Sequence, residues 1–133
     1  MPAYDALKVN VTIDNVLVTG WASGTMVTCA KNEARVIPYS GVKGEYAHSI
    51  NNNSAGTITL TLQQQSPLNK VLQEYANEKV MFPVSVIDIN TGGFKAGGLD
   101  CMILQEPANE RGVEITGRAW AIHVFDYSCV ESD

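Results

Sequence analysis

Several side chains in this sequence are of types that do chemistry, and their spacing decides whether they do it here. Histidine occurs twice, at His48 and His123. An imidazole acts as metal ligand or general base when partner ligands or a carboxylate flank it at suitable spacing; neither histidine has such a partner, so both are expected to be structural. Thr91-Gly-Gly-Phe-Lys-Ala-Gly-Gly98 has the glycines and lysine of a phosphate cradle. It lacks the spacing G-x-x-x-x-G-K-[ST], and no helix pattern follows it, so a turn is expected. Asp88 and Asp100 are imaginable as a carboxylate pair, but nothing near them supplies the raised pKa that acid–base work needs. Ser66 lies outside any G-x-S-x-G context and precedes a proline, which suits a helix cap instead of a nucleophile. Cys29, Cys101 and Cys129 are odd in number and contain no C-x-x-C pair. Neither a disulfide framework nor a zinc knuckle is signalled, and small reduced core thiols in a cytosol are expected. No catalytic residue, cofactor site or metal site is therefore expected.

The elements that hold these residues are more informative. The chain has 133 residues, 45% hydrophobic and 17% charged, with a formal net charge of −5. That length suits one domain, 1–133, with a single core. The acidic balance argues against a protein that grips nucleic acid through phosphates, which needs clustered Lys and Arg. The N-terminus lacks the basic and apolar regions of a signal peptide, and no apolar run approaches the ~20 residues of a membrane span, so no membrane anchoring is expected.

The clearest stretch runs from Gly56 to Leu72. Ile58, Leu60 and Leu62 alternate with Thr57, Thr59, Thr61 and Gln63, the period of a half-buried strand. Ser66-Pro67 then starts a helix expected over Pro67 to Lys79, whose Leu68, Val71, Leu72, Tyr75 and Ala76 share one face. Upstream, residues 1–8 have no period and are expected to be an arm. Val9 to Ile13 and Val16 to Trp21 form a hairpin about Asp14-Asn15, and Met26 to Ala30 is a third strand. Residues 38–55 are polar, with two glycines, three consecutive asparagines and scattered Tyr39, Val42, Tyr46 and Ile50. A loop of this length is usually functional or disordered; a docking loop that orders on a partner and a floppy surface loop are both open.

Downstream, Phe82 to Ile89 and a short strand Cys101 to Leu104 flank the turn chemistry of Asn90 to Gly93. A last strand runs from Val113 to about Phe125. Glu114, Thr116 and Arg118 are expected outward, yet Trp120, Ile122 and Val124 continue the same parity, so a bulge or a change of face is expected. Residues 126–133 form a short acidic tail.

In order along the chain, Val9 to Gly24, Lys31-Asn-Glu33, Gly41-Val-Lys-Gly-Glu45 with Ser49-Ile-Asn-Asn52, Ser54 to Leu62 and Ser66 to Leu72 resemble the tail tube proteins of bacteriophages with contractile tails. Phe82-Pro-Val-Ser-Val86, Glu106-Pro107 and Trp120 are similar to the same family. Arg118-Ala119, where an acidic residue would be expected before the tryptophan, and the stretch from Asp126 depart from it.

This resemblance implies a mainly β fold with one flanking α-helix, a β-sandwich or partial barrel that joins neighbours into a hexameric ring barrel. It implies a structural, non-enzymatic protein of the virion tail, assembled in the bacterial host cytoplasm, whose stacked rings form the inner tube conducting DNA into the host without binding it. Its partners would be copies of itself and the tail sheath, tape measure, baseplate and tail terminator proteins. Thr57, Thr59, Thr61 and Gln63 would face the lumen, and an acidic protein lining the channel would repel DNA. Tyr39, Val42, Lys43, Glu45, Tyr46 and Ile50, in the 38–55 loop, would contact the neighbouring ring. The tube of a headless contractile bacteriocin or secretion machine, and a small monomeric β-barrel binding module, are the alternatives.

Overall fold

The computed structural model describes residues 4–90, 92–112 and 116–131. Its strands are β1 (Val9–Ile13), β2 (Val16–Leu17), β3 (Val27–Lys31), β4 (Val36–Ser40), β5 (Tyr46–Ile50), β6 (Gly56–Gln63), β7 (Phe82–Asp88), β8 (Phe94–Ile103), β9 (Gly117–Val124) and β10 (Ser128–Glu131), with one α-helix, α1 (Leu68–Glu78). The fold is mainly β, as expected, and every strand pairing is antiparallel.

The main sheet has the order β2-β1-β7-β8-β9-β6-β3, and β10 also pairs with β8. It curls back on itself through the segment after β2. Val18 donates its N–H to Val11 O (2.9 Å), extending the β1–β2 pairing, whereas Gln63 donates to Gly20 O (2.7 Å) and Ala22 to Thr61 O (3.1 Å). One stretch of chain thus joins β1 to β6 and closes a partial barrel. Asp14 and Asn15 turn β1 into β2 with φ of 49° and 66°, the pair of positive angles that a two-residue hairpin turn needs. Gly20 has φ 79° and sits against Ser66, where a Cβ has no room.

The core is the inside of this curl. Val11, Ile58, Leu60, Leu62, Val86, Trp120, Ile122 and Val124 are fully buried there, with Leu68 and Leu72 of α1. The alternation of β6 therefore places its apolar residues as expected. Ser66 Oγ accepts the Leu68 N–H at 3.4 Å and donates to Thr19 O at 2.6 Å, and Pro67 already has helical angles (φ −64°, ψ −22°). Lys79, at φ 58°, ends the helix in the left-handed region. Asn69 ties helix to sheet: its Oδ1 accepts from Trp120 Nε1 (2.9 Å), and its Nδ2 donates to Gln63 O and Gln64 O. Tyr75 stacks on Phe82 at 4.8 Å between ring centroids and donates its hydroxyl to Asp14.

The structure differs from the sequence expectations at several places. The segment 38–55 is not an irregular loop; β4 and β5 make a hairpin of most of it. β8 is one strand of ten residues running through Gly97 and Gly98, with a register shift against β7 between Phe82 and Val84. β9 pairs with β6 without a shift from Gly117 to Val124, so no face change occurs; Arg118 points inward with Trp120 and is 6% exposed. Glu114 lies outside the described residues, as do Thr91 and residues 1–3 of the expected arm. In the rest of that arm, Ala6–Lys8 form a 3-10 turn, and Asp5 exchanges two hydrogen bonds with Asn90 (both 3.0 Å). The expected tail contains β10, and its residues 132–133 are outside the described set. Of the three thiols only Cys101 is buried; Cys29 is half-buried and Cys129 exposed.

β10 continues the line of β9 along one edge of β8, since Val124 pairs with Cys101 and Ser128 with Gly97 in a common register. In the gap between them, both oxygens of Asp126 accept from β8, from Leu99 N–H (3.0 Å) and Asp100 N–H (3.1 Å).

Candidate functional site

Two surfaces gather the residues singled out by the sequence. The first is the outward face of β6. Thr57, Thr59 and Thr61 are half-buried and Gln63 is exposed, opposite the buried Ile58, Leu60 and Leu62. Register completes this face with residues that the sequence alone does not assign to it. Across β9, Thr57 pairs with His123, Thr59 with Ala121, Thr61 with Ala119 and Gln63 with Gly117; across β3, Thr59 pairs with Thr28 and Thr57 with Ala30. The signal for them is the alternation of Ala119 and Ala121 with Trp120 and Ile122, a strand that keeps small side chains on one side until His123. The result is a shallow wall of threonines and alanines with no carboxylate, ammonium or guanidinium among these paired residues. Thr57 is held at one end by a bond from its Oγ1 to Asn32 Oδ1 (2.7 Å).

The second surface is the β4–β5 hairpin, which prolongs β3 and β6 beyond the sheet. Its joint is built by the asparagine run: Asn51 N–H donates to Arg35 O and Asn51 Nδ2 to Ala34 O (both 2.9 Å). Asn51 Oδ1 accepts from Asn53 N–H, and Asn53 Oδ1 from Ala55 N–H. Beyond it, none of residues 36–50 is buried. At the tip, Gly41 N–H donates to Glu45 O at 2.6 Å, and Glu45 Oε2 accepts the Lys43 N–H at 3.2 Å. Glu45 therefore shapes the turn, while Val42 and Lys43 stand at its end. The cross-strand pairs Val36↔Ile50, Pro38↔His48 and Ser40↔Tyr46 share one face; Ile37↔Ser49 and Tyr39↔Ala47 share the other. The expected contact residues are thus divided, Tyr46 and Ile50 from Tyr39.

Nothing in either surface supplies reactive chemistry. Burial, with Cys129 nearby, pushes the Cys29 thiol up to about 11; burial likewise takes Cys101 to about 11 against the opposing pull of a Val84 backbone hydrogen bond. Both are far from thiolate at neutral pH. Burial and the neighbouring Cys129 and Cys29 raise the Tyr127 hydroxyl to about 12. Arg118 stacks over the Trp120 ring at 4.6 Å and donates to Pro107 O (3.2 Å), and burial followed by Arg111 lowers its pKa. Among the described residues no group of three or more His, Cys, Asp and Glu is placed to hold a metal, and no helix is long and apolar enough to cross a membrane.

Residues 1–86, which include the wall strand β6, the hairpin and the helix, match the family of the bacteriophage PhiTE tail tube protein. The chain belongs to that family. As a phage tail tube family member it is a structural component of the tail, not an enzyme. No curated protein matches the chain. Two solved structures share the family member's fold. One is the anti-feeding prophage cap, a tube-terminating cap, with TM-score 0.67 and 12% identity over 99% of this chain and 93% of that one. The other is the PVC sheath/tube terminator of an extracellular contractile injection system, with TM-score 0.69 and 10% identity over 98% of both chains.

Proposed function

We propose that the chain assembles into hexameric rings that stack as the inner tube of a contractile phage tail and conduct DNA, with the β3–β6–β9 wall facing the channel. The observation that carries this reading is the wall itself. A passage for a polyanion must not bind phosphates, and a face dominated by Thr and Ala, without lysine or arginine among its paired residues, meets that condition. The net charge of −5 adds a long-range repulsion that the wall does not itself generate. β3 is an edge of the sheet, and pairing it with a neighbouring copy would remove an aggregation-prone edge while extending the wall around a ring. The sheath, tape measure, baseplate and terminator proteins would then meet the other surfaces.

Thr59→Lys tests the wall. Its flanking residues Thr28 and Ala121 are small, so a lysine stem can lie across them with its ammonium in the channel. Expected are unchanged folding and assembly with slowed or arrested DNA ejection from phage carrying the variant. A variant that fails to fold, or ejects DNA at the normal rate, would remove this face from the channel.

A second reading is favoured by the likeness to the two terminator structures: the chain would form a single ring closing the end of a tube. Negative-stain electron microscopy of the purified protein over a concentration series separates the two. Tubes of uniform width support the tube reading, and rings that never stack support the end piece.

A further inference from the structure

We propose that Cys29 and Cys129 form a disulfide within one copy of the chain under oxidising conditions, stapling the edge strand β3 to β10. The two thiols are about 100 residues apart in sequence. The C-terminal segment brings them to one place through Tyr127, whose side chain lies directly on Gly56: a Cβ there would come within 2.8 Å of Tyr127 Cβ and nearer still to its ring. Gly56 pairs with Lys31 at the end of β3. Cys29, two residues earlier, pairs with the buried Ile58 and packs against the core that includes Tyr127. Cys129 follows two residues after Tyr127 and pairs with the buried Ala96, which puts it on the same inward side of the sheet. Both sulfurs are near enough to the Tyr127 hydroxyl to help raise its pKa, and Cys129 does the same to the Cys29 thiol. Cys101 is set apart from them, buried on β8 with its thiol donating to Gly98 O at 3.5 Å.

The oxidant is a small disulfide such as glutathione disulfide. The exposed Cys129, as thiolate, attacks one of its sulfurs. The oxidant's S–S bond breaks, one glutathione leaves with the proton that Cys129 released, and Cys129 is held in a mixed disulfide. Cys29, as thiolate, then attacks the Cys129 sulfur and displaces the second glutathione. Two protein thiols have lost two electrons and two protons, and one glutathione disulfide has become two thiols. β10 pairs only with β8 and all four of its residues are exposed, so it has the freedom to bring the two sulfurs into bonding geometry. Because the Cys29 thiol lies at about 11, the second displacement is slow near neutrality and quickens roughly tenfold for each pH unit below that value. A reducing cytosol keeps such a pair open, whereas a tail outside the cell meets conditions that close it. The closed bond would fasten the root of the β4–β5 hairpin, which leaves the sheet between Lys31 and Gly56. It concerns one copy alone and does not depend on how the chain assembles.

The test incubates the purified full chain with glutathione disulfide at about pH 8.5, where more of Cys29 is thiolate. Mass spectrometry is expected to show the loss of two hydrogens, and non-reducing peptide mapping to join the peptides of Cys29 and Cys129 while Cys101 stays free. Because the bond closes a loop of about 100 residues, the melting temperature should rise by roughly 10 °C and fall back on adding dithiothreitol. Cys129→Ser, at an exposed position, should fold like the parent and show neither the bond nor the shift. Cys29→Ser should stop at a glutathione adduct on Cys129, and Cys101→Ser should oxidise as the parent does. Exhaustive oxidation that yields only Cys129-linked dimers, or a lasting glutathione adduct beside a free Cys29, would refute the staple. So would an intramolecular bond that leaves the melting temperature unchanged.

Discussion

Asn69 is the side chain on which the union of helix and sheet most depends, and Asn69→Ala gives a measurable magnitude. It is 7% exposed and makes three hydrogen bonds. The loss most costly to leave unmade is that of Trp120 Nε1, because the indole is fully buried. Stranding such a donor costs about 1–3 kcal/mol. The carbonyls of Gln63 and Gln64 lie at the strand's end, where water can replace the amide, and together they add about 1 kcal/mol. A total near 3 kcal/mol should lower the melting temperature of a domain this size by roughly 10–15 °C. Circular dichroism melts and urea titration would measure it. Trp120→Phe removes the same donor, so the two substitutions should be non-additive, with a coupling of about 1–2 kcal/mol in the double-mutant cycle. A loss below about 1 kcal/mol for Asn69→Ala, or strict additivity, would refute the role given to this amide.

Two further substitutions probe the C-terminal strand. A Cβ added at Gly56 would drive into Tyr127, coming within 2.8 Å of that residue's own Cβ and closer still to its ring, so Gly56→Ala should cost about 1–3 kcal/mol by overpacking. Hydrogen exchange should show β10 losing protection before the rest of the sheet; equal protection would place Tyr127 elsewhere. For Asp126, partial burial works to raise the pKa, but the N–H groups of Leu99 and Asp100 prevail and hold it below the usual carboxylate value. A depressed folded-state pKa contributes stability that is present above the unfolded value and lost as pH falls through the folded one. Asp126→Asn should thus lower stability near neutral pH by about 1 kcal/mol, discounted for exposure. It should also flatten the acid limb of the stability curve below about pH 4; an unchanged acid limb would show that this carboxylate titrates alike in both states.

Where one periodicity governs an element, the sequence is enough to read it. β6 and α1 are legible because each has one wet side and one buried side, so the alternation of Ile58, Leu60 and Leu62 and the spacing of Leu68 and Leu72 report their environment directly. The hairpin reads as a loop for the opposite reason: with apolar residues on both faces, β4 and β5 leave no alternation to detect. Arg118 misleads because a guanidinium reads as a surface residue, whereas stacking on Trp120 lets it share the inward parity. Gly97-Gly98 resembles a strand's end, but β8 runs through it, with β7 on one side and β10 on the other. The wall is only half visible, because Ala119 and Ala121 gain meaning from their pairing with Thr61 and Thr59, which a linear sequence does not display.

The closure of the sheet has a kinetic consequence during synthesis. The β1–β2 and β3–β6 pairings are local and can form as soon as their residues leave the ribosome. β1 nevertheless finds its other neighbour only in β7, and Asp5 must wait for Asn90, 85 residues later. β6 likewise stays uncovered on one side until β9 has been made. Loop-closure entropy has to be met before these distant pairings return any energy, so the nascent chain commits to its fold late and slowly. Until β9 is made, the chain carries the exposed apolar side chains of the β4–β5 hairpin and a wall strand covered on one side only, a state open to aggregation among crowded neighbours.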